Sequence, residues 1–189
     1  MTSPELWIAR HGETDWSAAG KHTGRTDIPL NDNGRAAARK LADVLAGQRF
    51  DLVLTSPLQR ARDSCELAGF GGQAKIDSDL REWDYGDYEG VTTEEIRQTR
   101  PGWTVFDADC PGGESLADVG ARADRVIERV RAVDGRILAF GHGHSLRILA
   151  ARWIEQPPTG GSRLILATAT VSVLGWDRET AVINRWNAG

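Results

Sequence analysis

The chain has 189 residues, of which 40% are hydrophobic and 26% charged, with a formal net charge of −4. That length suits one domain with a full core, so residues 1–189 are read as a single unit. The negative balance excludes a general basic field for nucleic acid or anionic membrane, and no apolar run approaches membrane-spanning length.

Residues 6–10 read as the first strand. No basic start or long apolar leader precedes it, so no signal peptide is expected and the cytoplasm is the default location. Residues 32–45 carry a helical period with Ala37, Leu41, Val44 and Leu45 on one side. A second strand covers 52–55, and Ser56 and Pro57 behind it read as the N-cap and first residue of the next helix. The stretch 70–111 is irregular and aromatic-rich, which suits a cover over a site. Within it Thr92 and Glu95 have capping-box spacing. The longest helix is expected from Ser115, with Leu116, Val119, Ala123, Val126, Ile127, Val130 and Val133 on its apolar stripe. Arg122, Asp124, Arg125, Glu128 and Arg129 fall on the sides read as solvated. Residues 136–140 form a buried strand, followed at once by Gly141-His142-Gly143-His144 and a helix to about Glu155. Residues 164–167, 171–176 and 181–186 read as strands, and Trp176 and Trp186 as packing residues. Short apolar runs alternating with helical periods predict an α/β fold, a three-layer αβα sandwich with a mixed, mainly parallel sheet. Cys65 and Cys110 have no C-x-x-C spacing and read as ordinary thiols of a reducing compartment.

Two histidines hold equivalent places. His11 follows the first strand and His142 follows the strand at 136–140, and ligands of open α/β sheets bind beyond such strand ends. Each precedes a glycine, Gly12 or Gly143, which lets backbone approach a ligand. Arg10 precedes His11, and Arg60 lies early in the helix after the second strand. Two arginines and two imidazoles converging on one crevice call for an anion among them. A phosphoryl group suits the planar arginine fork. The helix N-termini after Thr55 and His142 are expected to add N–H groups to it.

The motifs then become specific. Arg10-His11-Gly12-Glu13-Thr14 resembles the R-H-G-E/Q-T/S signature of the histidine phosphatase superfamily, the phosphoglycerate-mutase-like proteins. In family order follow 24–30 (G-x-x-D-x-P-L), 55–61 (S-x-x-x-R-A), 80–90 with the acid, Gly112-Gly113-Glu114-Ser115 (G-E-S) and His142-Gly143. The stretch 82–90, with His144 and Arg147, is most similar to the branch of sedoheptulose-bisphosphatase-type enzymes and bacterial acid phosphatases. His144 and Ser17 depart from the wider family, which has glycine or alanine and asparagine there.

The resemblance implies a phosphomonoester hydrolase working on a small phosphorylated metabolite, a sugar phosphate or bisphosphate, through a phosphohistidine. His11 is then the nucleophile, Arg10, Arg60 and His142 clamp the phosphoryl oxygens, and Glu82 is the general acid and base. Glu82 would need a raised pKa, which Trp83 and Tyr85 could supply. The substrate-binding set is Arg10, His22, Thr23, Arg60, Glu82, Trp83, Tyr85, His142, Gly143 and His144. No metal or other cofactor is expected, since no carboxylate or cysteine joins His142 and His144 at ligand spacing. The expected partner is a small phosphate ester, with neither nucleic acid nor membrane; a homodimer stays open.

Several readings stay open as well. His144 contacts substrate or caps structure. Trp83 and Tyr85 pack the core or face substrate. Lys21, His22 and Arg25 form a solvated loop or a site for a second phosphate or sugar hydroxyls. Glu114 and Ser115 cap a helix first and support the site second. A phosphomutase and a catalytically silent phospholigand-binding protein are the rival functions. The chain's shortness relative to the glycolytic mutases favours hydrolysis.

Overall fold

Four strands set side by side in parallel, three of them apolar and central, make up most of the sheet. The computed structural model describes residues 3–107 and 110–188. These strands are β1 (Glu5–Arg10), β2 (Leu52–Thr55), β3 (Ala74–Ile76) and β4 (Arg136–Gly141), and the antiparallel pair β5 (Val171–Asp177) and β6 (Thr180–Ala188) extends the sheet beyond β1. The order is β3-β2-β4-β1-β5-β6, so β1 and β4, the two strands that the histidines follow, are central neighbours in parallel register. Both faces of β1 are buried: Leu6 and Ile8 enter one core cluster, Trp7 and Ala9 the other. A strand covered on both faces has to read as an unbroken apolar run, which is how it stands in the sequence.

The helices are α1 (Asp15–Ala18), α2 (Asp32–Val44), α3 (Gln59–Leu67), α4 (Thr93–Thr99), α5 (Leu116–Arg131) and α6 (Gly143–Trp153). Leu41 and Leu45 join Trp7, Phe140 and Val173 on one face, while Val126, Val130, Ile148 and Trp153 join Ile8 and Ile137 on the other. This is the expected αβα sandwich with a mixed sheet. α4 and α5 open on capping boxes, Thr92 with Glu95 and Ser115 with Asp118.

Four expectations are corrected. Helix α3 starts at Gln59 rather than behind Ser56, because the Ser56 hydroxyl is engaged with the Leu58 N–H and with His142, while Asp27 accepts the Gln59 N–H at 2.8 Å. Residues 164–167 are not a strand: their polar backbone groups go to side chains, the Ala167 N–H to Asn187 and the Leu166 carbonyl to Arg10. The stretch 70–111, of which 108 and 109 lie outside the described residues, is not only a cover, since Trp83, Trp103 and Phe106 are buried in the larger cluster. Arg122 is buried, not solvated. The edge strand β3 and the short helix α1 carry too few residues to show a period. Trp176 and Trp186 are half-buried and donate to the Pro4 and Ile165 carbonyls.

Candidate active site

The carboxyl ends of β1 and β4 bring the two histidine rings within 5.1 Å of each other, centroid to centroid. His11 is held at the strand end by its N–H to the Gly141 carbonyl. Its Nδ1 lies 2.6 Å from the Gly12 carbonyl oxygen. A carbonyl only accepts, so Nδ1 carries the hydrogen and Nε2 keeps its lone pair. Gly12 is required here because a Cβ would overlap the Gly34 carbonyl. Burial, then the Arg10 and Arg60 charges, hold the imidazole pKa well below its usual value against the opposing pull of Gly12. The ring is therefore neutral and nucleophilic well into the acid range.

His142 is fixed as firmly. Arg60 donates from Nε to its Nδ1 at 3.1 Å, so the hydrogen sits on Nε2, 2.7 Å from the Ser56 hydroxyl. The remaining Arg60 donors reach the carbonyls of Thr23, Gly24 and Thr26 at 2.9 to 3.0 Å. Arg60 and His142 are fully buried. They lie one layer below the site cavity, where Arg60 fastens the segment 23–26 under His11.

A cavity of about 200 Å³ opens over His11. Arg10, His22, Thr23, Glu82, Tyr85, Gly143 and His144 line it, and Lys21, Ser17, Thr93, Arg147 and Leu166 line it too. Arg10 is anchored through Nη1 on the Leu166 carbonyl, and its buried Nε has no partner among the described residues. That unpaired donor beside His11 suits an anion. Gly143 allows this approach, since a Cβ there would meet the Arg10 guanidinium carbon at 3.2 Å. Trp83 is not on the lining; its ring is buried and its indole N–H donates to Glu114. Arg25 also leaves the expected basic cluster, pairing with Asp84 at 2.8 Å. The Ser17 hydroxyl closes the α1 capping box with Thr14.

Glu82 caps helix α6. Its Oε1 accepts the N–H groups of Trp83 (3.0 Å) and Ser145 (2.8 Å), and its Oε2 accepts that of His144 (3.0 Å). The two helix N-termini expected to face phosphate are thus occupied by carboxylates of the chain itself, Asp27 and Glu82. The expected rise in the Glu82 pKa is also corrected. Burial pushes it up, but His144 and the three backbone donors outweigh burial and hold it below the usual carboxylate value.

The segment carrying Glu82 is pinned from behind. Arg122 bonds both oxygens of Glu114 at 2.7 and 2.9 Å and reaches the carbonyls of Asp79, Arg81 and Glu82. Glu114 in turn accepts the Asp84 N–H at 3.0 Å. A polar side chain one position off an apolar helical stripe is the only sign of this in the sequence. Cys65 and Cys110 are buried, and burial pushes the Cys65 thiol up to about 12, so it is inert. Among the described residues no group of three or more His, Cys, Asp or Glu is placed to hold a metal ion. No helix among them is long and apolar enough to cross a membrane.

Residues 6–189 match the histidine phosphatase superfamily (branch 1). The chain is 39% identical over 187 residues to an acid phosphatase of Mycobacterium tuberculosis, covering 94% of this chain and 91% of that one. It is 36% identical to sedoheptulose 1,7-bisphosphatase of Saccharomyces cerevisiae, over 80% and 68% of the two chains. It is 35% identical to a 2,3-bisphosphoglycerate-dependent phosphoglycerate mutase of Rhizobium meliloti, over 97% and 95%. Among solved structures, an open reading frame product of Mycobacterium tuberculosis superposes with a TM-score of 0.92 at 36% identity, covering 97% of each chain. The mycobacterial glucosyl-3-phosphoglycerate phosphatase in complex with VO3 superposes at 0.88 and 27% identity, covering 98% and 99%.

Proposed function

The chain belongs to the histidine phosphatase superfamily, and from that premise we propose that it hydrolyses a small phosphomonoester, a sugar phosphate or bisphosphate, through His11, as one domain spanning 1–189. The observation that carries the reading is the His11 tautomer: a neutral ring with Nε2 unprotonated, beside the unpaired Nε–H of Arg10. Nε2 attacks phosphorus while the ester P–O bond breaks, and Glu82 gives the leaving oxygen its proton. Water then attacks the phosphohistidine, Glu82 takes the water's proton, and the P–N bond breaks to release phosphate. Phosphoryl transfer asks chiefly for positioning and charge, which Arg10 supplies at the lining and Arg60 from below. Glu82 is ionised at neutral pH, so the proton enters with the substrate. A phosphate ester has its second pKa near 6, and the monoanion arriving against a buried carboxylate hands its proton over.

The mutase remains the rival reading. Length does not separate the two, because the chain covers 95% of a mutase relative. Mixing enzyme with a radiolabelled sugar phosphate and quenching should trap an acid-labile, base-stable phosphoenzyme that His11→Ala cannot form, with free phosphate accumulating. Transfer to a second metabolite without release would support the mutase. Binding without either reaction would support a silent phospholigand-binding protein.

A further inference from the structure

The cavity wall away from His11 carries two more imidazoles, and their hydrogen bonds run in opposite senses. His22 has Nδ1 2.8 Å from the Val91 carbonyl, so Nδ1 carries the hydrogen and Nε2 is an acceptor. His144 has Nδ1 2.6 Å from the Tyr85 hydroxyl. Tyr85 is 1% exposed, and a buried phenol whose O–H found no acceptor would be left unsatisfied, so Tyr85 donates and His144 keeps its hydrogen on Nε2. The two rings lie parallel within 9°, their centroids 6.2 Å apart. Edge contacts from Tyr85 and Trp103 lock His22, and one from Phe106 locks His144. Among the described residues neither Nε2 has a hydrogen-bond partner, and both residues line the cavity.

We infer that His22 and His144 form a subsite for a neutral hydroxyl of the substrate, which donates to Nε2 of His22 and accepts from Nε2–H of His144. A hydroxyl does both at once from a single oxygen atom. An ionised carboxylate or a fully ionised second phosphate only accepts, and would face the His22 lone pair. The substrate class is therefore a phosphomonoester of a polyhydroxy carbon chain, with a hydroxyl rather than an anion just beyond the ester oxygen. Burial keeps both rings neutral, lowering His22 and taking His144 down to about 3, so the opposed polarities persist at neutral pH.

The inference rests on the phosphatase reading, and the experiment separates the two. kcat/KM is measured by phosphate release for erythritol 4-phosphate and for its deoxygenated counterpart n-butyl phosphate, with p-nitrophenyl phosphate alongside. The wild type should prefer the polyol ester by at least about tenfold, since a site built to bond a hydroxyl rejects the analogue lacking it. His22→Phe and His144→Phe should each shrink that ratio toward one. A wild-type ratio near one, or a ratio that survives both substitutions, overturns the subsite alone. No release from any ester, p-nitrophenyl phosphate included, overturns the phosphatase reading and the subsite with it. The wild-type comparison needs no variant, so a misfolded mutant cannot hide the outcome.

Discussion

Arg60 donates its Nε–H to Nδ1 of His142 at 3.1 Å, and this bond fixes the tautomer of a histidine that no solvent reaches. The arginine is as much a strut as a charge. It joins β4's histidine to the loop at 23–26, while its own helix is capped by Asp27 from that same region.

Arg60→Ala should therefore lose stability and activity together. The carbonyls of Thr23, Gly24 and Thr26 and the His142 ring lose their donor, at about 1–3 kcal/mol for each buried acceptor left unsatisfied. The urea midpoint should fall, and kcat/KM should drop on every ester alike. An unchanged midpoint with loss confined to one substrate would mean that Arg60 reads the leaving group instead.

Acid should raise turnover and lower stability over the same range. His11, His142 and His144 have folded pKa values depressed below 6.5 by burial. The unfolded chain then binds more protons, so stability is full above pH 6.5 and falls as pH drops toward the folded values, about 3 for His144. Each ring contributes a slope of roughly 1.4 kcal/mol per pH unit within that window. Glu82, also depressed, adds a loss that sets in as pH falls below its ordinary value of 4.5 and is complete once pH has fallen through its lowered folded value. In the same window His11 stays neutral while the substrate monoanion becomes abundant, so kcat/KM for alkyl esters should rise below pH 6.5. Denaturation midpoints and rates at pH 7.5 and 5.5 check both. A midpoint that held steady with acid would show that these rings take up protons in the fold.

Arg122→Leu should act on the chemistry from a distance. Removing it leaves the half-buried Glu114 carboxylate without its partner and frees the segment that carries Glu82. Esters with poor leaving groups should slow by about 10²-fold, within the range of general acid help, and p-nitrophenyl phosphate should suffer less. Arg122→Lys, which restores charge without the two-pronged fork, should recover only part of this. Equal slowing of both ester types would reduce Arg122 to a structural ion pair.

Ala169→Gly should stabilise the protein. Ala169 sits at φ 51°, in the left-handed region, where its N–H caps the carbonyls of Arg10 and His11. Relief of that backbone is expected to gain about 1 kcal/mol, less the entropy glycine adds to the unfolded chain. The thermal midpoint checks it; a fall would mean that the Ala169 methyl packs more usefully than its backbone strains.

The strand ends bearing His11 and His142 were legible because doubly buried strands leave apolar runs and the motifs sit directly behind them. Arg122 was not, since a buried guanidinium and a solvated one look alike beside a helical stripe. Trp83 and Tyr85 looked equivalent as aromatics two residues apart, yet one packs and one lines the cavity, a difference set by the course of the loop. The partners of the two helix N-termini were hidden for the same reason. Asp27 and Glu82 are distant in sequence from the donors they cap, and no local pattern records the pairing.

The way Glu82 is held bears on how such a protein can diverge. Its three donors are main-chain N–H groups, which any substitution short of proline leaves in place. The residues at 83, 144 and 145 can therefore change their side chains while the three hydrogen bonds to Glu82 persist. His144 serves twice with separate atoms: its backbone N–H bonds Glu82 and its ring lines the cavity. A lineage could rewrite which molecule enters this cavity, one side chain at a time, without unlearning how to cleave the ester.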